Sequence, residues 1–218
     1  MTHETLQDVV DIAGSNFENP TKGVSELCFE SLCDILRLDT DKNLEDVLMT
    51  RIHNLRWTSK SKYIHLTAVF KVYGPGQLLT QDFVSNLTTC LSSPHIVHCG
   101  TELYKLIIRT LSPDEWSRIF SSPLISALLH HSPGVRLSCS QQWLPATLSV
   151  IRDSGSVIIS QLQNNQSEPA LTALLAIFKI CKKEGIDLGC SSIDQNKILE
   201  SSIIHRSETV RTGAVGVR

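Results

Sequence analysis

The chain has 218 residues, is 41% hydrophobic and 6% aromatic, and carries a formal net charge of −2. That length and apolar content suffice to bury a core of Leu, Ile, Val and Ala, and the near-neutral balance excludes a bulk polycation. With no secretory or Arg-rich leader and no run of 18 apolar residues, the reading is a soluble cytoplasmic protein with no membrane partner.

Charge divides the chain. Residues 1–50 hold eleven acids and three bases, and residues 47–81 hold no acid but carry Arg51, Arg56, Lys60, Lys62 and Lys71. The acidic start opens with helical spacing: in SELCFESLCDIL, residues Leu27, Cys28, Leu32, Ile35 and Leu36 share a face.

The segment RIHNLRWTSKSKYIHLTAVF (51–70) follows. Ile52 and Leu55, then Ile64, Leu66, Val69 and Phe70, mark two helices joined by a polar connector. Arg51, Arg56, Lys60 and Lys62 with Trp57 and Tyr63 are candidates for an RNA-binding patch. The cations would meet phosphates and the rings would stack on bases. The alternative is a solvated inter-helix turn with Trp57 and Tyr63 tucked inside. Gly74-Pro75-Gly76 reads as a turn.

Further along, DFVSNLTTCL aligns Phe83, Val84, Leu87, Cys90 and Leu91 on a helical stripe. Four Ser-Pro pairs follow: Ser93-Pro94, Ser112-Pro113, Ser122-Pro123 and Ser132-Pro133. Each offers a hydroxyl N-cap with proline in the first helical position, and Glu115 completes a capping box with Ser112. The rival reading is proline-directed phosphorylation. His95, His98 and Cys99 are three potential metal ligands without a fourth at a recognisable spacing, so no metal is expected.

LLHHSPGVRLS (128–138) contains His130–His131. Its core, LHHSPGVR (129–136), recurs as IHRSETVR (204–211), an offset of 75 residues, with a weaker copy, CLSSPHIV (90–97), 39 residues before the first. Periods near 40 are those of HEAT and armadillo repeats. The expectation is that the histidines close a helix, a partly positive imidazole favouring its C-terminal dipole. Val135 then enters the core and Arg136 reaches across the turn to acids or carbonyls. Pro145 is expected to break or kink a helix after Leu144, and Trp143 to lie in the core. SVIIS (156–160) is the one short strand candidate, and ALTALLAIFKIC aligns Leu171, Leu174, Leu175 and Phe178 as a helix.

The seven cysteines, Cys28, Cys33, Cys90, Cys99, Cys139, Cys181 and Cys190, are odd in number and form no C-x-x-C, so they read as reduced thiols. No nucleophile is paired with a base, and no phosphate-binding loop or zinc-protease motif occurs. The fold expectation is therefore all-α, with no catalytic residues, no cofactor and no small-molecule substrate.

The segments WTSKSKYIHLTAVFKVYG, LTTCLSSPHIVHCGTELYKLII, QQWLPATLSVI and ILESSIIHRSETVRTGAVGVR resemble the thyroid adenoma-associated (THADA) family in order and approximate spacing. Lys60-Ser61-Lys62-Tyr63, Cys90-Leu91-Ser92 with His95, Leu103-Tyr104-Lys105 and Trp143-Leu144-Pro145 carry the match, which spans residues 57–218. The resemblance implies a right-handed α-solenoid of antiparallel helix pairs, HEAT/armadillo-like, of about ten to twelve helices. Residues 1–218 would form a single array: 1–50 the acidic first helices, 51–218 the family-like repeats, truncated at the C-terminus.

The same resemblance implies a non-catalytic regulatory subunit that selects and positions tRNA. Its enzyme partner would be an FtsJ-like, S-adenosylmethionine-dependent tRNA 2′-O-methyltransferase acting on the first anticodon-loop nucleotide (position 32). The Arg-Arg-Ser-Ala-Gly stretch associated with the family's central domain is absent, and the resemblance assigns no role to Lys60–Tyr63. Two other readings stand beside it: a generic HEAT-repeat protein–protein adaptor, and an enzyme using His95, His98 and Cys99.

Overall fold

Apolar residues at helical spacing become buried helix faces from one end of the chain to the other. The structure, a computed structural model, describes every residue except 1, 2, 20, 22, 40–42, 189–191 and 218; Cys190 thus lies outside the described residues. Thirteen α-helical segments and no strand occur among the described residues. They fall into two compact units, Met1–Thr110 and Leu111–Arg218.

The first unit holds α1 (His3–Asn16), α2 (Val24–Leu38), α3 (Asn43–Asn54), α4 (Lys60–Tyr73), α5 (Gln81–Thr88) and α6 (Val97–Ile108). Helix α4 is its hub, packing against α2, α3 and α6, while α1 packs on α2 and α3. Eight of the fourteen α4 residues are buried, including Tyr63, Leu66 and Phe70, so α4 has little solvent face. Gly74 ends it at φ 81°, a left-handed value that a side chain would strain. The Phe83–Leu91 stripe is buried throughout, carried by α5 and the 3₁₀ turn Thr89–Ser92.

The second unit holds α7 (Pro113–Leu128), α8 (Pro133–Ser138), α9 (Leu144–Val150), α10 (Ser154–Leu162), α11 (Glu168–Glu184), α12 (Ser192–Ile203) and α13 (Glu208–Val215). A π turn, Cys139–Trp143, fuses α8 and α9 into one continuous stretch. Pro145 therefore does not end a helix; the wider turn just before it accommodates the ring and the lost N–H. Helix α11 packs on α7, α9, α10, α12 and α13, and α7 packs on α8 and α10. Trp116, Phe120, Trp143 and Phe178 fill the core. The strand candidate 156–160 is helical, inside α10, with Ile158 and Ile159 buried.

Only part of the Ser-Pro reading holds. Ser112 caps α7 with the full capping box: its Oγ accepts from Glu115 N–H, and its own N–H donates to Glu115 Oε2 at 2.9 Å. That N–H and the Ser112 hydroxyl, which also donates to Oε2 at 2.7 Å, lower the Glu115 pKa. Ser132 does start α8 with Pro133 in its first turn, but its hydroxyl accepts no cap bond. Ser122-Pro123 lies inside α7 and caps nothing, because burial of Phe120, Leu124 and Leu128 carries the helix through the proline. Ser93 stands one turn ahead of α6, its carbonyl accepting from Ile96 and Val97 N–H.

The connection α7–turn–α8 is matched by α12–turn–α13 at the 75-residue offset, and α5–α6 precede the first copy as α10–α11 precede the second.

Candidate nucleic-acid interface

The turn between α3 and α4, residues 55–59, carries Arg56, and the other basic candidates flank it, Arg51 on α3 and Lys60 and Lys62 on α4. A helix end leaves its last carbonyls without donors. At the end of α3, Lys62 Nζ donates to Ile52 O, which also accepts from Leu55 N–H, and to Leu55 O in the turn, both at 2.8 Å. The ammonium also sits 4.8 Å from the Trp57 ring centre. Lys62 is 5% exposed, and burial pushes its pKa down. Tyr63 is fully buried, with its hydroxyl donating to Trp57 O at 2.8 Å and its pKa pushed up by burial. Trp57 packs edge-on against Tyr63 and Phe83, with centroids 5.7 and 5.4 Å away. Lys62 and Tyr63 are thus internal struts of the turn, and neither presents a phosphate contact or a stacking face.

Arg51 is also engaged. Its guanidinium pairs with Asp11 of α1 and lies over Gly14, where a Cβ would collide with it. Its Nε is buried without a partner. Arg56 is exposed, and Lys60, the first residue of α4, is half-buried. These two are the candidate cations the fold leaves facing solvent. They line an open cleft of about 590 Å³ with Glu18, Ser59, His95 and Ile96. His95 comes from the loop before α6, a neighbour that spacing along the chain does not reveal.

Glu18 alters the electrostatics of this cleft. Its Oε1 accepts from Ser61 N–H at 3.2 Å and from Ser59 Oγ at 3.3 Å. The carboxylate thus caps α4, where the helix dipole favours an anion, and Ser59 itself makes no cap bond. The block that is acid-free in sequence therefore meets its acids in space: Asp11 at Arg51, Glu30 at Lys71 (3.2 Å) and Glu18 at the start of α4.

His65, one turn after Ser61 and fully buried, was not among the candidates. Its Nδ1–H donates to Ser61 O at 2.7 Å, while Nε2 is buried with no partner. The ring stands edge-on to Phe17 at 4.7 Å. Burial, together with nearby Arg51, lowers its pKa to about 4 despite the backbone bond. With no path to solvent it serves as a core residue.

The histidine pair at 130–131 closes a turn. Ser132 N–H donates to His130 Nδ1 at 3.1 Å, and Arg136 Nη1 donates to His130 O and His131 O at 2.7 and 2.9 Å. His130 thus serves the turn as an acceptor for a backbone N–H. The second copy repeats the geometry: Ser207 N–H to His205 Nδ1 at 3.1 Å, and Arg211 Nη1 to His205 O and Arg206 O at 2.9 and 2.8 Å. Val135 and Val210 are buried beneath the two turns. In the weaker copy Val97 stands where the arginine would be, and that clamp is not formed.

Among the described residues no group of three or more His, Cys, Asp or Glu is placed to hold a metal ion. His95 and His98 are exposed, and burial raises the Cys99 pKa. No helix among the described residues is long and apolar enough to cross a membrane. No protein-family model matches the chain, and no curated protein does.

Proposed function

We propose that the chain is a non-catalytic scaffold of HEAT/armadillo-like helix pairs. In this reading it assists an FtsJ-like methyltransferase, in the cytoplasm, in 2′-O-methylation of position 32 of tRNA. The observation that carries the scaffold is the repeated turn, in which His130–Arg136 and His205–Arg211 make the same bonds over the same buried valine. Contacts of α9 with α11, of α11 with α13, and of α7 with α10 agree with stacked pairs. The tRNA and methyltransferase parts rest on the resemblance to the THADA family. Within them Arg56 and Lys60, with His95, are the residues for phosphate contact, and Glu18 tempers the site.

A second reading, a protein–protein adaptor, is favoured by the burial of Lys62 and Tyr63 and the pairing of Arg51. These remove three of the five residues on which RNA binding would draw.

The test is to map 2′-O-methylation around the tRNA anticodon loop in cells lacking the gene and in their parents. Loss at position 32 with neighbouring marks kept is the expected result. An unchanged profile would sink the tRNA reading and leave the adaptor.

A further inference from the structure

Seven large hydrophobic side chains are exposed among the described residues, and three of them, Ile12 (64%), Leu27 (68%) and Leu38 (77%), lie on α1 and α2. These two helices pack against each other in the first unit. On α2, Leu27, Glu30, Asp34 and Leu38 are spaced three, four and four residues apart, so they form one line along the helix. All four are exposed, and the line spans about 16 Å. Leucines at its two ends thus bracket two carboxylates.

The surroundings are acidic. Among the described side chains of α1 and α2, Asp8, Asp11, Glu26, Glu30 and Asp34 are exposed, and Arg37 is the sole Lys or Arg. Three cations partly offset them: Arg37 on Asp34 at 2.6 Å, Lys71 on Glu30 at 3.2 Å, and Arg51 on Asp11. The Asp34 and Glu30 pairs are solvent-exposed, and such pairs are worth about 0–1 kcal/mol, so a partner's cation can replace them at little cost. A nucleic acid or an anionic lipid surface would be repelled by this face. Exposed leucines beside carboxylates suit a ligand with the opposite charge and the same apolar spacing.

We propose that the α1–α2 face is a docking surface for an amphipathic helical segment of another protein that carries Lys or Arg beside Leu-type side chains. The acids steer and register the basic residues, while Leu27 and Leu38 at the two ends of the α2 line supply the contact area. This surface does not depend on the tRNA reading, since its test involves no RNA.

The experiment uses the full-length chain, isotope-labelled, titrated with a synthetic amphipathic Leu/Lys helical peptide and followed by amide chemical shifts. The expected result is saturable shifts confined to α1 and α2 and weakened by salt. Affinity should fall about tenfold for Leu27→Ser and again for Leu38→Ser, the loss of one buried leucine each. Leu137→Ser, at an exposed leucine in the second unit, should change nothing. Absence of binding, shifts centred elsewhere, or equal affinity for a Gln/Lys peptide without leucines would each overturn the proposal. Because the substituted leucines are exposed, circular dichroism of each variant should match the parent, and a variant that loses helix is replaced by the matching Leu→Gln change.

Discussion

Arg136 and Arg211, 75 positions apart, each reach back with Nη1 to two backbone carbonyls of the turn that precedes their own helix. The carbonyls belong to His130 and His131 in one case and to His205 and Arg206 in the other. They lie just beyond the last turn of α7 and of α12, where acceptors outnumber donors. In each case one nitrogen meets two acceptors, and the valine before the arginine, Val135 or Val210, is buried.

Arg136→Ala is therefore expected to destabilise the second unit by about 1–2 kcal/mol, the scale for charged-donor bonds at a partly exposed site. Arg211→Ala should cost a similar amount. Lysine at either position should recover part of it, because an ammonium can also donate to two carbonyls but lacks the rigid guanidinium plane that aims Nη1. Urea unfolding midpoints check this. Wild-type midpoints for both alanine variants would show that the repeated bonds contribute nothing to stability.

The basic connector splits into two classes that a pair of variants separates. Lys62→Met removes the Nζ donor from Leu55 O and leaves Ile52 O with Leu55 N–H alone, and should cost about 1–3 kcal/mol. The double change Arg56→Glu, Lys60→Glu should leave the melting temperature within a degree or two while weakening tRNA binding and flattening its salt dependence. Unaltered tRNA affinity in that double variant would mean that the cleft beside Glu18 takes no part in binding.

His65 makes stability depend on acidity. Its pKa is about 4 in the folded chain against 6.5 in a model peptide. The unfolded chain therefore binds the proton more readily across that interval. The stabilisation is complete above pH 6.5 and is lost as pH falls towards 4, by roughly 3 kcal/mol in all. His65→Asn keeps a donor for Ser61 O and should flatten the profile in this window, as read from denaturation at stepped pH. An equally steep profile in the variant would assign the acid sensitivity to other groups.

What was legible along the chain was local. The stripes at 83–91 and 171–178, the capping box at 112–115 and the recurrence of His-x-Ser-x-x-Val-Arg depend on neighbours within a turn or two. Helical periodicity and hydrogen-bonding geometry fix them before any tertiary contact forms. Those features carried the all-α assignment, the repeat and the role of Arg136. The clamp itself was half visible: the arginine's reach was expected, but the histidine's role as acceptor depends on a backbone N–H whose direction only the folded turn sets.

The surroundings of the basic residues were not local, and of the two readings the sequence left open, burial of Tyr63 agrees with the inter-helix turn. Residues 47–81 lack acids, yet Asp11, Glu18 and Glu30 come from up to 43 residues away to meet Arg51, Ser61 and Lys71. Lys62 points inward, where Ile52 O and Leu55 O accept from its ammonium, and Tyr63 follows because α4 is buried on nearly every side. The sequence by itself determined helices, caps and a repeated turn, since each is decided within a few residues. Which cations face water was decided by tertiary structure, because burial and ion pairing depend on chain segments that only folding brings together.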